Sequence, residues 1–361
     1  MFIVLIVVAV LGISTWLFMR QAAFGEDPSG ERLERIKKSI HYKNGSFQNL
    51  YDTPMLSADA SYPKLLFSFF LGKPKNTEPD IVIPSVQTDL KSLNEETPVI
   101  VWFGHSSYLI RINGKSFLMD PVLSGNASPV SFFGKSYPGS DVYSTEDFPE
   151  LDGVIISHDH YDHLDYKTIV KLKDKVKHFY TALGVGAHLA HWGVEESKIT
   201  EFDWWEAADL GDSMKITSTP ARHFSGRGFG RGKSLWSSYV LQTPSHRIYL
   251  GGDSGYDDHF KEIGDKLGPF DIAFLECGQY NVQWPFIHMM PEQTVQASLD
   301  LKAKVLMPVH WGKFTLAVHP WNESIERATK AADSLNVKLT TPKIGEPIII
   351  DKHYPSGKWW R

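Results

Sequence analysis

His158, Asp159, His160, Tyr161, Asp162 and His163 place three imidazoles and two carboxylates within six positions. Neutral ring nitrogens and carboxylate oxygens are the donors that zinc and other borderline divalent cations take, so this stretch reads first as a transition-metal site. Four more residues of the same chemistry stand just after runs that read as strands: His223, Asp253, His288 and His310. A lone histidine is more often an ordinary core or surface residue. Behind His-x-His-x-Asp-His the four become candidate site residues, because loops at strand ends can converge on one edge of a sheet.

The elements that must position these residues begin near residue 98. Val99–Phe103 and Tyr108–Ile112 read as strands, Asn113-Gly114 as a hairpin turn, and Phe117–Met119 as a third strand that Asp120-Pro121 ends. Gly153–Ser157 is an apolar run leading straight into the hexad, and a helix is expected over 166–175. Strands are expected again over 215–218, 235–241, 247–250, 271–275 and 304–307, with a helix over 293–301. Asp165 is expected to cap the helix that follows it, and His105 to brace a turn beside the site rather than to bind a metal. Strand runs followed by strand–helix alternation imply an α+β sandwich whose helices cover the sheets.

The 361 residues carry a net charge of −5. An acidic chain lacks the basic footprint of a nucleic-acid binder, so no nucleic acid is expected as a partner. Cys277 is the single cysteine, which excludes an intramolecular disulfide, and its setting reads as the end of a buried strand. Phe2–Met19 carries no charged residue. A helix of that length spans roughly 27 Å, enough for a bilayer core. No basic side chain precedes the run, and Arg20-Gln21-Ala22-Ala23 is a poor cleavage site, so residues 1–20 read as an uncleaved transmembrane anchor. Arg20, Arg32, Arg35, Lys37 and Lys38 follow it, which keeps the body on the cytoplasmic side under the positive-inside rule. Residues 21–95 form an extension of weak periodicity. It contains a short helix over 31–40 and an apolar stretch, Tyr62–Leu71, either packed on the body or resting at a lipid interface.

Residues 96–350 resemble the metallo-β-lactamase superfamily and, within it, the N-acyl-phosphatidylethanolamine-hydrolysing phospholipase D group. The resemblance is carried by Trp102-Phe103-Gly104-His105, Asp120-Pro121, the hexad with Leu164-Asp165, and Asp203-Trp204-Trp205-Glu206. It continues through Gly252-Asp253-Ser254-Gly255, His288 with Pro291-Glu292, and His310-Trp311-Gly312. It implies an αββα sandwich holding two zinc ions per chain. His158, His160 and His223 would bind the first, Asp162, His163 and His310 the second, and Asp253 would bridge them. The implied reaction is hydrolysis of an N-acyl-phosphatidylethanolamine-like phospholipid by a metal-activated hydroxide. Asp162 would orient the nucleophile, and His288 would donate a hydrogen bond to a phosphate oxygen or the leaving group. A lactonase or other ester hydrolase of the same superfamily is the alternative. The chain departs from the group in its apolar span and in the glycine- and arginine-rich stretch 224–233, whose Arg227 and Arg231 are expected to meet the phosphate. Trp284, Phe286, Phe132 and Phe133 are candidates for a lipid-facing groove, and residues 351–361 for a C-terminal tail.

Overall fold

Val99–Trp102 buries all four of its side chains, and they part by parity. Ile100 and Trp102 enter one apolar core, Val99 and Val101 another. Successive strand side chains point to opposite faces, so a strand that is apolar throughout must lie between two cores. Both sheets hold that position in the computed structural model, which describes residues 1–61, 63, 67, 72, 74–94 and 97–361. The apolar stretch Tyr62–Leu71, apart from Pro63 and Phe67, lies outside the described residues.

In chain order, Phe2–Met19 (α1) and Gly30–Lys38 (α2) precede a short hairpin of Tyr42–Lys43 (β1) and Ser46–Phe47 (β2). The first large sheet contains Val99–Trp102 (β3), Tyr108–Ile112 (β4), Lys115–Met119 (β5), Gly153–Ile156 (β6), Phe179–Ala182 (β7) and Ile199–Phe202 (β8). Tyr166–Leu172 (α3) and Gly186–His191 (α4) are inserted between its later strands. The second sheet contains Ala207–Gly211 (β9), Met214–Thr219 (β10), Ser238–Gln242 (β11), Arg247–Leu250 (β12), Ile272–Glu276 (β13) and Leu306–Val309 (β14). Its helices are His259–Leu267 (α5), Pro291–Asp300 (α6) and Glu323–Leu335 (α7). Pro347–Ile349 (β15) returns to pair antiparallel with β3.

Tyr108, Ile110 and Met119 of the first sheet face Tyr239, Ile248 and Phe274 of the second in the central core, with Tyr108 stacked on Phe274 at 4.2 Å. The outer face of the first sheet packs Leu118, Val154 and Ile156 against Ile169 and Leu172 of α3 and Leu189 of α4. The outer face of the second packs Tyr249, Ala273 and Leu275 against Phe260 of α5, Val295 of α6 and Ala328 of α7. The buried residues of α7, Ser324, Ile325, Ala328, Thr329 and Ala332, follow helical spacing, which gives that helix one inward face. The result is an αββα sandwich.

Some boundaries differ from the sequence reading. The strand expected over 235–241 begins at Ser238, because Leu235 N donates to Leu183 O and Ser237 N to Ser157 O before the chain joins its own sheet. Residues 351–361 end in the core: Trp360 is buried against Trp311.

Candidate metal centre

Each candidate ligand follows the C-terminal end of a strand. β6 leads into Ser157 and the hexad, β10 to His223, β12 to Asp253 and β14 to His310. β10, β12 and β14 run in one direction, so one sheet edge supplies three residues and the facing sheet supplies the hexad. A Cβ on Gly252 would lie 2.6 Å from Ser237 O and 2.8 Å from Ser157 Cβ, so glycine is what lets Asp253 approach the hexad. His105 and His310 both adopt left-handed backbone, with φ of 52° and 67°. They are tied together: His310 N donates to His105 O and His105 N to Trp311 O, each at 2.9 Å. Strained backbone of this kind persists where the surroundings over-determine it.

Two groups of four residues result, each with its ligand atoms within 4.8 Å of one another. One is His158, His160, His223 and Asp253; the other is His105, Asp162, His163 and His310. Asp253 stands between them, with Oδ2 3.2 Å from His163 Nε2, 3.7 Å from His223 Nε2 and 3.9 Å from His158 Nε2. His105 Nε2 lies 2.9 Å from Asp162 Oδ2, so it holds a carboxylate of the second group. Asp165 caps α3 by accepting from Lys167 N at 3.1 Å.

Outer hydrogen bonds decide which ring nitrogens face inward. Buried Asp120 accepts from Ser157 N at 2.7 Å, from Ser157 Oγ at 2.6 Å and from His163 Nδ1 at 2.8 Å. Ser157 Oγ, its proton given to Asp120, accepts from His158 Nδ1 at 3.0 Å. His223 Nδ1 donates to Ile287 O at 2.8 Å. These three rings turn their Nδ1 protons outward, so each Nε2 faces the centre. His158 Nε2 and His223 Nε2 lie 2.8 and 3.2 Å from His160 Nδ1. Three ring nitrogens gathered this closely, with at most one proton among them, suit a cation far better than they suit one another. His163 Nε2 and Asp253 Oδ1 are buried with no hydrogen-bond partner among the described residues.

The electrostatics agree. Burial lowers His158, His160, His223 and His310, which keeps these rings neutral at pH 7, as metal ligands must be. Burial works against a charge on His163 too, but Asp253, Asp162 and Asp120 outweigh it and hold this ring well above its usual value. Asp162 and Asp253 stay well below the usual carboxylate range despite burial, with His163 the main cause. A hollow that is rich in carboxylate, with His158, His160, His223 and His310 neutral and a proton drawn onto His163 by that carboxylate charge, fits divalent cations such as zinc.

This centre forms the floor of a cleft of about 310 Å³. Met55, Leu56, Phe224, Trp284, Ile287 and Leu316 line it, with His288 inside and the exposed Arg231 also on its wall. His288 Nδ1 is 3.4 Å from Glu276 Oε2, and Glu276 is held by the Met289 N–H at 2.5 Å. Burial disfavours a proton on His288, but Glu276 prevails and holds its pKa above the usual value.

A family model for a beta-lactamase superfamily domain matches residues 115–311. The chain belongs to the metallo-β-lactamase superfamily. It is a metal-dependent hydrolase of that kind. A Mycobacterium tuberculosis protein is 38% identical over 361 residues, covering 98% of this chain and 96% of its own length. N-acyl-phosphatidylethanolamine-hydrolyzing phospholipase D 1 of Caenorhabditis elegans is 32% identical over 264 residues, covering 68% of this chain and 74% of its own. Among solved structures, the metallo hydrolase Igni18 of Ignicoccus hospitalis aligns with a TM-score of 0.54 at 20% identity, covering 72% of this chain and 100% of that one. That likeness is one of fold.

Within this superfamily frame, Arg227 requires a correction. The sequence reading sends it to a substrate phosphate, whereas the structure buries it. Nη1 donates to Asp159 O at 2.7 Å and Leu164 O at 2.8 Å, and Nη2 donates to Ala23 O at 2.7 Å. The guanidinium lies 4.1 Å from the Tyr161 ring and 5.1 Å from the Trp192 ring. Its donors fasten the hexad loop to the segment after α1, and the cleft wall carries Arg231 instead. Asp159 turns away from the centre and accepts from Gly226 N at 2.7 Å and Ser234 Oγ at 2.8 Å.

Asn49 is a site residue that the sequence reading missed. Its Nδ2 donates to His223 O at 2.8 Å, and its Oδ1 accepts from His223 N at 3.1 Å and Trp236 Nε1 at 3.0 Å. A candidate ligand is thus clamped on its backbone by the N-terminal extension. Asp120 and Glu276 also carry roles that their residue types do not announce: Asp120-Pro121 reads only as the end of a strand and a piece of the family resemblance, and Glu276 as part of a buried strand.

Proposed function

We propose that this chain is a dinuclear zinc phosphodiesterase of phospholipase D type, held at a membrane by α1. Its substrate would be an N-acyl-phosphatidylethanolamine-like phospholipid, cleaved to phosphatidic acid and an N-acylethanolamine. One observation carries the reading: two adjoining groups of metal-ligating side chains floor a cleft with apolar walls. The identity to the nematode N-acyl-phosphatidylethanolamine-hydrolyzing enzyme supports the substrate class. The 18 residues of α1, with a mean hydropathy of 2.7 and none buried, support the anchor. The basic residues after α1 favour the cytoplasmic side for the body.

His158, His160 and His223 would hold one ion and Asp162, His163 and His310 the other, with Asp253 shared. Bound there, the metals would supply an ionised water at neutral pH and offset charge on the attacked group. Asp162, oriented by His105 Nε2, accepts a hydrogen bond from the attacking water and aims it. His288, held by Glu276, donates a proton toward a phosphate oxygen or the leaving oxygen. Arg231 brings positive charge to the phosphate, and Trp284, Met55 and Leu56 receive an acyl chain. The water oxygen joins phosphorus, the phosphorus–oxygen bond to the ethanolamine breaks, and a proton reaches the departing oxygen.

Zinc-loaded full-length protein in mixed micelles is expected to bind two equivalents of zinc and to release N-acylethanolamine and phosphatidic acid in equal amounts, read by mass spectrometry. Turnover of a lactone panel with no release from the lipid would overturn the substrate and leave a lactonase of the same fold.

A further inference from the structure

Two loops beside the foot of α1 carry exposed aromatic side chains. Phe132 and Phe133, in the loop 124–136, are 81% and 52% exposed, and Phe229, in the loop 226–232, is 85% exposed. Both loops lie beside the chain where it leaves the helix. Gly228 faces the Met19 side chain, with room for a Cβ only 3.1 Å from Met19 Cε, and Arg227 binds Ala23 O. Ser128 and Pro129 of the other loop share a small hollow with Ala23 and Tyr161.

The same loops reach the cleft. Arg231 lines it directly. Ala127 packs with Val122 and Phe314, and Leu316, which lines the cleft, rests against that cluster. The foot of the apolar helix, two aromatic loops and the cleft are therefore neighbours.

We propose that this face docks on a lipid bilayer, with Phe132, Phe133 and Phe229 entering the headgroup–acyl boundary beside α1. The cleft would then open at the membrane surface, where a phospholipid can enter it without crossing water. The inference rests on the reading of α1 as an anchor. The occupant is lipid rather than protein because the surface is continuous with an apolar helix that has no buried residue. Trp16 and Arg20, whose guanidinium lies 5.0 Å from the Trp16 ring, end that helix. Aromatic and basic side chains favour this position at a membrane–water interface, which puts the two loops level with the headgroups.

The buried Cys277 permits a direct test in the full-length protein. Cysteines are introduced singly by Phe229→Cys, Phe132→Cys and Ser245→Cys and labelled with a polarity-sensitive fluorophore. Ser245 lies in the β11–β12 turn, at the end of β12 opposite Asp253. Vesicles are made of phosphatidylcholine and phosphatidylethanolamine, with brominated acyl chains as quencher. Labels at 229 and 132 are expected to shift to the blue and to be quenched about twofold or more, while the label at 245 keeps its aqueous spectrum. If the protein floats with the vesicles but all three labels behave alike, the docking face is wrong and the anchor stands. If it does not float with them, the anchor falls and the docking face with it. A double Phe132→Asp, Phe229→Asp variant supplies a second readout. It is expected to raise KM for the vesicle-borne lipid about fivefold or more, with no change for soluble bis(p-nitrophenyl) phosphate. Equal KM for wild type and variant on vesicles would overturn the proposal.

Discussion

The two flanks of the metal centre are held by different kinds of sequence. On the strand-end flank the supports are close to the ligands along the chain or on the neighbouring strand. Ser157 joins Asp120 to His158, the adjacent residue, and Gly252 makes room for Asp253. On the other flank the supports come from the N-terminal extension. Ala23 O receives Arg227, Asp52 O receives Arg222 Nη2 at 2.8 Å, and Asn49 clasps the backbone of His223. Ser57 N closes the arc by donating to Gln283 O at 2.8 Å. The contrast teaches that the donor set is local chemistry, while part of its rigidity is borrowed from a segment about half the chain away. Supporting partners orient ligands and tune their metal, so the two flanks should fail differently.

The sharpest separation is expected from His160→Ala. His160 is a proposed ligand, and its loss should remove metal from the first group and depress activity well beyond the ~100-fold that loss of a supporting partner costs. Zinc content and turnover, measured on the same preparation, should fall together; a variant that kept both would erase the distinction. Next comes Arg227→Met, on the borrowed flank. It leaves the carbonyls of Ala23, Asp159 and Leu164 without their buried donor, so urea denaturation should show a loss of ~3 kcal/mol. A loss below ~1 kcal/mol would mean that the extension is only loosely fastened to the hexad loop. Asn49→Ala should then weaken zinc binding by roughly 10- to 100-fold in chelator competition. Gln48→Ala, whose side chain bonds locally to Ser46, should leave zinc binding unchanged. Equal affinities in the two variants would return Asn49 to the role of an ordinary loop residue.

Legibility in the sequence divides along the same line. The hexad concentrates its chemistry in six positions, and the all-apolar Val99–Phe103 reads as a strand. The ligand candidates and the sandwich could therefore be read from residue types and punctuation. Ala207–Gly211 sits at a sheet edge with alternate residues exposed and no strongly apolar run, so β9 went unseen. Arg227 lies between glycines and reads as a loop residue free to meet a phosphate, since its burial depends on Ala23, Tyr161 and Trp192 meeting in space. Asn49 is invisible for a related reason: its partner lies 174 residues away, and an asparagine between Gln48 and Leu50 carries no mark of its role. His105 reads as a brace, but its contact with Asp162 needs the β3–β4 turn and the hexad to be brought together.

Arg222 belongs to both flanks and allows a finer test. It holds Asp52 and Thr53 of the extension, and its backbone N–H donates to Ser254 Oγ at 2.9 Å, next to Asp253. Ser254 Oγ in turn lies 3.2 Å from His259 Nε2 at the start of α5. Burial first, and the Arg222 charge second, push His259 down to about 3. An unfolded histidine titrates near ~6.5, so between those values the unfolded chain holds a proton that the folded chain refuses. This contribution to stability is fully present above ~6.5 and is lost as pH falls through the window, amounting to ~2 kcal/mol at pH ~5 relative to pH ~7. His259→Gln should shrink the difference between those two pH values by a similar amount, read by urea denaturation of zinc-loaded protein. An unchanged difference would mean that His259 takes up its proton inside the fold, and that the junction between extension and strand ends is open to water.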